Sequence, residues 1–261
     1  MFSLLSKRFT SASALVKPRK FYKEASVAVE TAAAGPQFQV LLDGRKLRTT
    51  AGKIFAVESE PLAFAISQEW NSQKEHIDRT HMRLTGLAFT ALDNPFEQNK
   101  ESIVQSILDY LETDTILTFA DQPEKLVQLQ EQKWSPVIEW ANEKYQMDIK
   151  PTRSLVEPAY ITEQTLDRLQ NFLMAQPFWT LIGLQYAVEA VKSSVLITLA
   201  TASHAMEAAE GAELARLEQI FQTDTWGNVE WSHDVEHLEL MSRLSSAVLF
   251  ANLTSKAYSS S

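Results

Sequence analysis

Hydrophobic positions change their period along this chain, and the change divides it. Val27 and Val29, then Phe38, Val40 and Leu42, alternate with other residues at the two-residue period of half-buried strands. Asp43-Gly44 is a hairpin-turn signal, Ala51-Gly52 marks a second turn, and Ile54 to Val57 resume an extended run. From Ser59 the period becomes helical: Ser59 is placed to cap, Pro61 suits a first turn, and Leu62, Ile66 and Trp70 follow in steps of four.

Helices are also predicted over 82–92, around Ile103, Ile107, Tyr110 and Leu111, and on a segment carrying Trp134, Ile138 and Trp140 that Pro123 and Pro136 punctuate. Pro151 and Pro158 mark a connection. Leu166, Leu169 and Leu173 then repeat at helical spacing, followed by an apolar helix pair over 178–209 that Gly211 breaks. A short helix is expected over 212–222. A last one starts where Ser232 can cap it, with Asp234 and Glu236 in the first turn, where the helix dipole favours acids. The expected fold class is α+β, with a small β-rich N-terminal domain over residues 21–80 and a mainly α-helical, orthogonal-bundle C-terminal domain over 81–255.

Composition narrows the function. With 45% apolar residues in 261, the chain can bury a real core, and the absence of cysteine removes disulfides and thiolate chemistry. The net charge is −9, but residues 1–20 hold five basic residues and no acid; the remainder has 19 basic against 33 acidic residues, or −14. Such a body is a poor ligand for a polyanion, so no nucleic-acid partner is expected. Ser3, Ser6, Ser11 and Ser13 alternate with Lys7 and Arg8, and Phe2, Leu4, Leu5 and Phe9 add an apolar side, the pattern of a mitochondrial presequence over residues 1–20. Segment 179–206 is interrupted by Glu189 and Lys192, so no membrane span is expected; Lys192, three residues on, is the expected partner of Glu189.

Phosphate cradles of the G-x-G-x-x-G and Walker types are missing, as is a G-x-S-x-G elbow. His233, Glu236 and His237 spell H-x-x-E-H, which on a helix places two histidines one turn apart for zinc. Only 24 residues follow His237, however, with Glu239 as the sole carboxylate to complete a site. A helical projection puts Trp231, Val235 and Leu238 on the apolar stripe and both histidines opposite, so no metal and no cofactor is expected. Glu218 falls on the face of Leu214, Leu217 and Phe221, and a charge on an apolar stripe is either paired internally or offered to a partner. Trp70, on the stripe of Leu62 and Ile66, is expected in the core, with Asp43 and Gly44 as the other structural positions.

The ordered set Arg19-Lys20-Phe21-Tyr22-Lys23, Leu42-Asp43-Gly44-Arg45-Lys46-Leu47, Glu69-Trp70, Tyr110-Leu111 with Thr113-Asp114-Thr115, Trp134 with Pro136, and Trp226-Gly227-Asn228-Val229-Glu230-Trp231-Ser232-His233-Asp234 resembles the mitochondrial ATP synthase F(1) assembly factor 2 family. The resemblance implies a matrix chaperone without enzymatic activity. Its client would be the unassembled alpha subunit, shielded from aggregation until it pairs with beta. It also implies that the family's functional glutamate falls at Glu218, with Trp226, Gly227, Glu230 and Asp234 as further partner-binding positions; His237 lies outside that pattern. The free protein is expected to be a monomer. A zinc-dependent hydrolase using residues 233–237, and an adaptor domain with a different client, are the alternatives.

Overall fold

The computed structural model describes residues 17–32, 35–154, 156–226 and 232–255, and of residues 32, 225, 226 and 232–234 the backbone alone. Strands β1 (Ala25–Ala32) and β2 (Gly35–Leu42) form an antiparallel hairpin in which Val27 faces Val40. Short β3 (Arg45–Lys46) and β4 (Ala56–Val57) both pair with β2. The turn between β2 and β3 has Asp43 at φ 47° and Gly44 at φ 78°, the doubly left-handed geometry that Asp-Gly adopts at little cost. The Asp43 carboxylate also accepts from the backbone N–H of Lys23 and of Glu24, each at 3.0 Å, which anchors the strand entering the sheet.

Helix α1 (Glu60–Asn71) lies on this sheet, capped by Ser59, whose side chain accepts from the N–H of Leu62. Leu62, Ile66 and Trp70 are buried, and the Tyr22 hydroxyl donates to the Trp70 carbonyl at 2.6 Å. Glu69, on the same helix, accepts from the N–H groups of Leu84 and Thr85 at 2.8 and 2.7 Å and so closes the N-terminus of α2 (Arg83–Asp93). Burial pushes the Glu69 carboxyl above its usual range, against the pull of these donors.

The helical part continues with α3 (Lys100–Glu112) and α4 (Glu124–Tyr145). A small ribbon of β5 (Ile149–Lys150) and β6 (Tyr160–Ile161) follows, then α5 (Glu163–Met174). Helices α6 (Phe178–Ala190), α7 (Val195–Ala202), α8 (Ala208–Leu214), α9 (Leu217–Trp226) and α10 (Ser232–Leu253) complete the chain. Helix α10 packs on α6, α8, α7, α2 and α1, burying Leu240, Leu244, Ala247 and Ala251. At its crossing with α6, a Cβ on Gly183 would stand 3.0 Å from the Ala247 carbonyl oxygen and 3.0 Å from the Ala251 nitrogen. The apolar core is continuous from Val40 and Leu62 to Leu244 and Phe250, giving the α+β class expected from the pattern. Among the described residues no helix is long and apolar enough to cross a membrane.

Several local expectations need correction. Pro136 does not interrupt the chain: α4 runs through it, since a helix held by buried Trp134, Val137 and Ile138 tolerates one missing N–H. Gly211 does not break a helix but sits inside α8, where a Cβ would meet Thr201 Oγ1 at 3.0 Å and Leu244 Cδ2 at 3.1 Å; the residue is small for packing. The helix expected over 212–222 is two helices, α8 and α9, separated at Ala215 and Arg216. The Pro151–Pro158 connection is flanked by the β5–β6 ribbon, whose two-residue strands are too short to show a period.

Candidate functional site

The break between α8 and α9 determines what surrounds Glu218. Because α8 ends at Leu214, Leu214 and Glu218 are not successive turns of one helix. Instead the Leu214 carbonyl, freed at the helix end, accepts from the buried Trp134 indole N–H at 3.1 Å. Glu218 opens the first turn of α9, where the helix dipole favours its charge. It is half-buried and accepts from Gln130 Nε2 at 2.6 Å. Gln130 is fully buried on α4, and its Oε1 accepts from the N–H of Ala120 at 2.8 Å, so the amide is locked in orientation. Among the described residues no cation stands within ion-pair distance of Glu218.

The nearest arginine in sequence is committed elsewhere. Arg216 is buried, at 4% exposure, and its guanidinium reaches Glu236 on α10 at 3.8 Å. Gln219 donates to Glu236 at 2.9 Å, and Lys192 donates to Gln219 at 2.8 Å while lying 3.7 Å from Glu236. This knot joins α9, the start of α10 and the turn after α6. It also overturns the pairing expected on α6. The helix ends at Ala190 and Lys192 takes φ 55°, so its ammonium turns away from Glu189. Burial raises the Glu189 carboxyl, and the nearby Arg243 charge opposes that shift. The same turn region holds Asp114, fully buried, which accepts from the N–H of Leu196 at 3.0 Å and of Ile116 at 3.1 Å. Burial pushes its carboxyl up to about 6.

The H-x-x-E-H segment makes a different arrangement from the one projected. Val235 and Leu238 are exposed, at 58% and 57%, while the row through Leu240 and Leu244 faces the core. His237 is half-buried with its Nδ1 buried and without a hydrogen-bond partner among the described residues. Glu236 is engaged by Arg216, Lys192 and Gln219, and so is not placed as a free base for a metal-bound water. The described residues contain no cluster of three metal-ligating side chains. Gly227 and Glu230 lie outside the described residues, as does the 1–16 part of the leader; Trp226, His233 and Asp234 are described as backbone only, at the end of α9 and the start of α10.

Comparison with known proteins is consistent across three kinds of evidence. Residues 19–142 match the family model described as ATP12 chaperone protein. Two curated relatives are similar over most of their length. Protein atp12, mitochondrial, of Schizosaccharomyces pombe is 27% identical over 89% of this chain and 82% of its own. Protein ATP12, mitochondrial, of Saccharomyces cerevisiae is 24% identical over 80% and 77%. The crystal structure of Atp12 from Paracoccus denitrificans superposes with a TM-score of 0.80 at 27% identity, covering 91% of this chain and 98% of that one. The chain resembles the ATP12 chaperone family over residues 19–142, and its likeness to the solved Atp12 extends over 91% of it. It is therefore a chaperone and not an enzyme, which removes the hydrolase alternative, and its relatives' names place it in mitochondria, in agreement with the matrix location expected from the leader.

Residue patterns did not disclose Gln130, Arg216 or Glu236 as parts of this site. Gln130 is on another helix, and a buried glutamine in a polar stretch has no periodic signature. Arg216 did offer a signal, since a basic residue between Leu214 and Leu217 on a buried segment must find an acid.

Proposed function

We propose that this ATP synthase assembly chaperone holds the unassembled alpha subunit, shields its subunit interface from aggregation, and yields it to beta. The observation that carries the proposal is Glu218. It is half-buried, fixed by the neutral amide of Gln130, and left without a compensating cation among the described residues, while the adjacent Arg216 is directed to Glu236. A carboxylate held in one position by a neutral partner retains its charge for a second protein. Val235 and Leu238 are exposed on α10, which Glu236 ties to α9 through Gln219, and an apolar surface edged with acids is how protein-binding patches are built. Trp226, Gly227, Glu230 and Asp234, in the segment joining α9 to α10, extend the proposed surface.

The test is Glu218→Lys beside Glu218→Gln. Glutamine can still accept from Gln130 but carries no charge. Both variants should fold, glutamine should weaken recovery of the alpha subunit from matrix extract by the tagged chaperone, and lysine should abolish it along with assembly of the catalytic head. An unaltered yield of assembled head with Glu218→Lys would sink the proposal. An adaptor for another client would show itself as a tagged wild-type protein that recovers no alpha subunit.

A further inference from the structure

A cleft of about 1220 Å³ lies far along the chain from Glu218, between the β2–β3 turn region and α2. Its walls include Phe21, Trp70, Met82 and Phe89, and Phe21 is 73% exposed. Arg45 and Arg79 stand among its lining residues, both exposed, and neither side chain has a hydrogen bond or an ion pair among the described residues. Its two carboxylates are already satisfied. Asp43 is bonded to the N–H groups of Lys23 and Glu24; Asp93 is bonded to Thr49 at 2.5 Å and to Thr50 and Ala51 at 3.0 Å. The cleft is thus an apolar trough lined by Arg45, Lys46, Arg48 and Arg79 against Asp43 and Asp93, an excess of positive charge on a body that is otherwise acidic.

Gly86 gives a second, independent indication. It lies within α2, is exposed, and lines both this cleft and a smaller one of about 410 Å³ that contains exposed Phe96. A glycine inside a helix is unfavourable relative to alanine. Gly183 and Gly211 are explained by close neighbours, but a Cβ on Gly86 would meet nothing within 4 Å. Internal packing therefore gives no reason for a glycine here, whereas close approach of another backbone would.

We propose that this cleft seats an apolar polypeptide segment bearing carboxylates, with its backbone passing close over Gly86 between Arg45 and Arg79. The partner class, another polypeptide, rests on the chaperone function; the site shares no residue with the Glu218 surface. Charge decides the occupant, since the chain's own leader carries Lys7 and Arg8 and no acid, so it is repelled by the same arginines that attract a carboxylate.

The experiment uses the full chain and a short fluorescein-labelled peptide alternating leucine with glutamate, with a lysine-for-glutamate counterpart, read by anisotropy. The glutamate peptide should bind at least about tenfold more tightly. Gly86→Leu should lose that binding while its melting temperature does not fall. Arg45→Glu with Arg79→Glu, both on the surface, should transfer the preference to the lysine peptide. Equal affinity for the two peptides, or undiminished binding by Gly86→Leu, overturns the proposal. So does a dimer in sedimentation that Gly86→Leu dissolves, which would make the occupant a second copy, or about tenfold tighter peptide binding after removal of residues 1–16, which would make it the leader. Head assembly reports on Glu218 and peptide anisotropy on the cleft, so one can fail while the other holds.

Discussion

Gly183→Ala and Gly86→Ala are the same chemical change in two α-helices, and the structure assigns them opposite signs. In either helix, alanine relieves a backbone-entropy cost of about 1 kcal/mol. At Gly86 nothing offsets the gain, because the added methyl meets open space. At Gly183 the methyl would lie 3.0 Å from the Ala247 oxygen, 3.0 Å from the Ala251 nitrogen and 3.1 Å from the Ala251 Cβ, several tenths of an ångström inside ordinary contact. Two of these atoms are α10 backbone and cannot rotate away, so α6 and α10 must separate along a crossing that buries Leu184, Ala187 and Phe250. Overpacking of this kind costs about 1–3 kcal/mol. Taking the upper half of that range for a backbone obstacle, Gly183→Ala is expected to destabilise by about 1–2 kcal/mol and Gly86→Ala to stabilise by up to about 1 kcal/mol. Urea unfolding at fixed pH measures both against wild type. In thermal unfolding the pair should straddle the wild-type midpoint by several degrees, at roughly 2–4 °C per kcal/mol for a chain of this size. Equal midpoints for the two variants would refute the assignment of tight packing to one glycine and open space to the other.

Three further outcomes follow from groups described above. Asp114 is raised from its ordinary 3.8 to about 6 by burial, so between those values the folded chain holds a proton that the unfolded chain releases. Its contribution to stability therefore grows as pH falls from 6 toward 4 and is lost as pH rises, by at most about 3 kcal/mol; urea midpoints of Asp114→Asn should lack this part of the wild-type slope, and parallel slopes would contradict it. Trp134→Phe leaves the Leu214 carbonyl without its indole donor and is expected to cost about 1–3 kcal/mol, measured by denaturant titration; a change below about 0.5 kcal/mol would show that the bond is dispensable. Glu69→Gln keeps an acceptor at the start of α2 but puts an amide N–H₂ where two oxygens now take three donors, and should lower the melting temperature, with the earliest hydrogen exchange in α2; protection of α2 equal to wild type would refute the capping role.

Much of the fold was legible because it is written locally. Asp43-Gly44 forces a turn by backbone sterics alone, and Ser59 before Pro61 starts α1 through a hydrogen bond to Leu62 three residues away. The site was less legible because its contacts cross between elements. A helical projection grouped Val235 with Leu238 correctly as one face, but periodicity cannot say which face meets the core. Leu240, Leu244 and Ala247 won that position, and Val235 and Leu238 were left in solvent. Glu189 and Lys192 have the spacing of a helical ion pair, yet the chain leaves the helix between them. Glu218 stood out as a charge among apolar residues, although its companion Gln130 lies 88 residues away. The cleft over Gly86 is a tertiary object, and its one local sign is a helix glycine that nothing in the chain requires.

Helix α10 has a consequence for how the molecule comes into being. It touches α1 and α2 near the beginning of the chain as well as α6, α7 and α8, and Gly183 and Gly211 leave room for it at close range. A polypeptide that emerges amino end first, from a ribosome or through a membrane pore, presents the surfaces of α2 and α6 long before Leu240 to Phe250 exist to cover them. The core stays open until α10 has arrived, so a chain cut before Leu240 is expected to remain a sticky intermediate. A chaperone thus passes through an exposed condition of its own during synthesis.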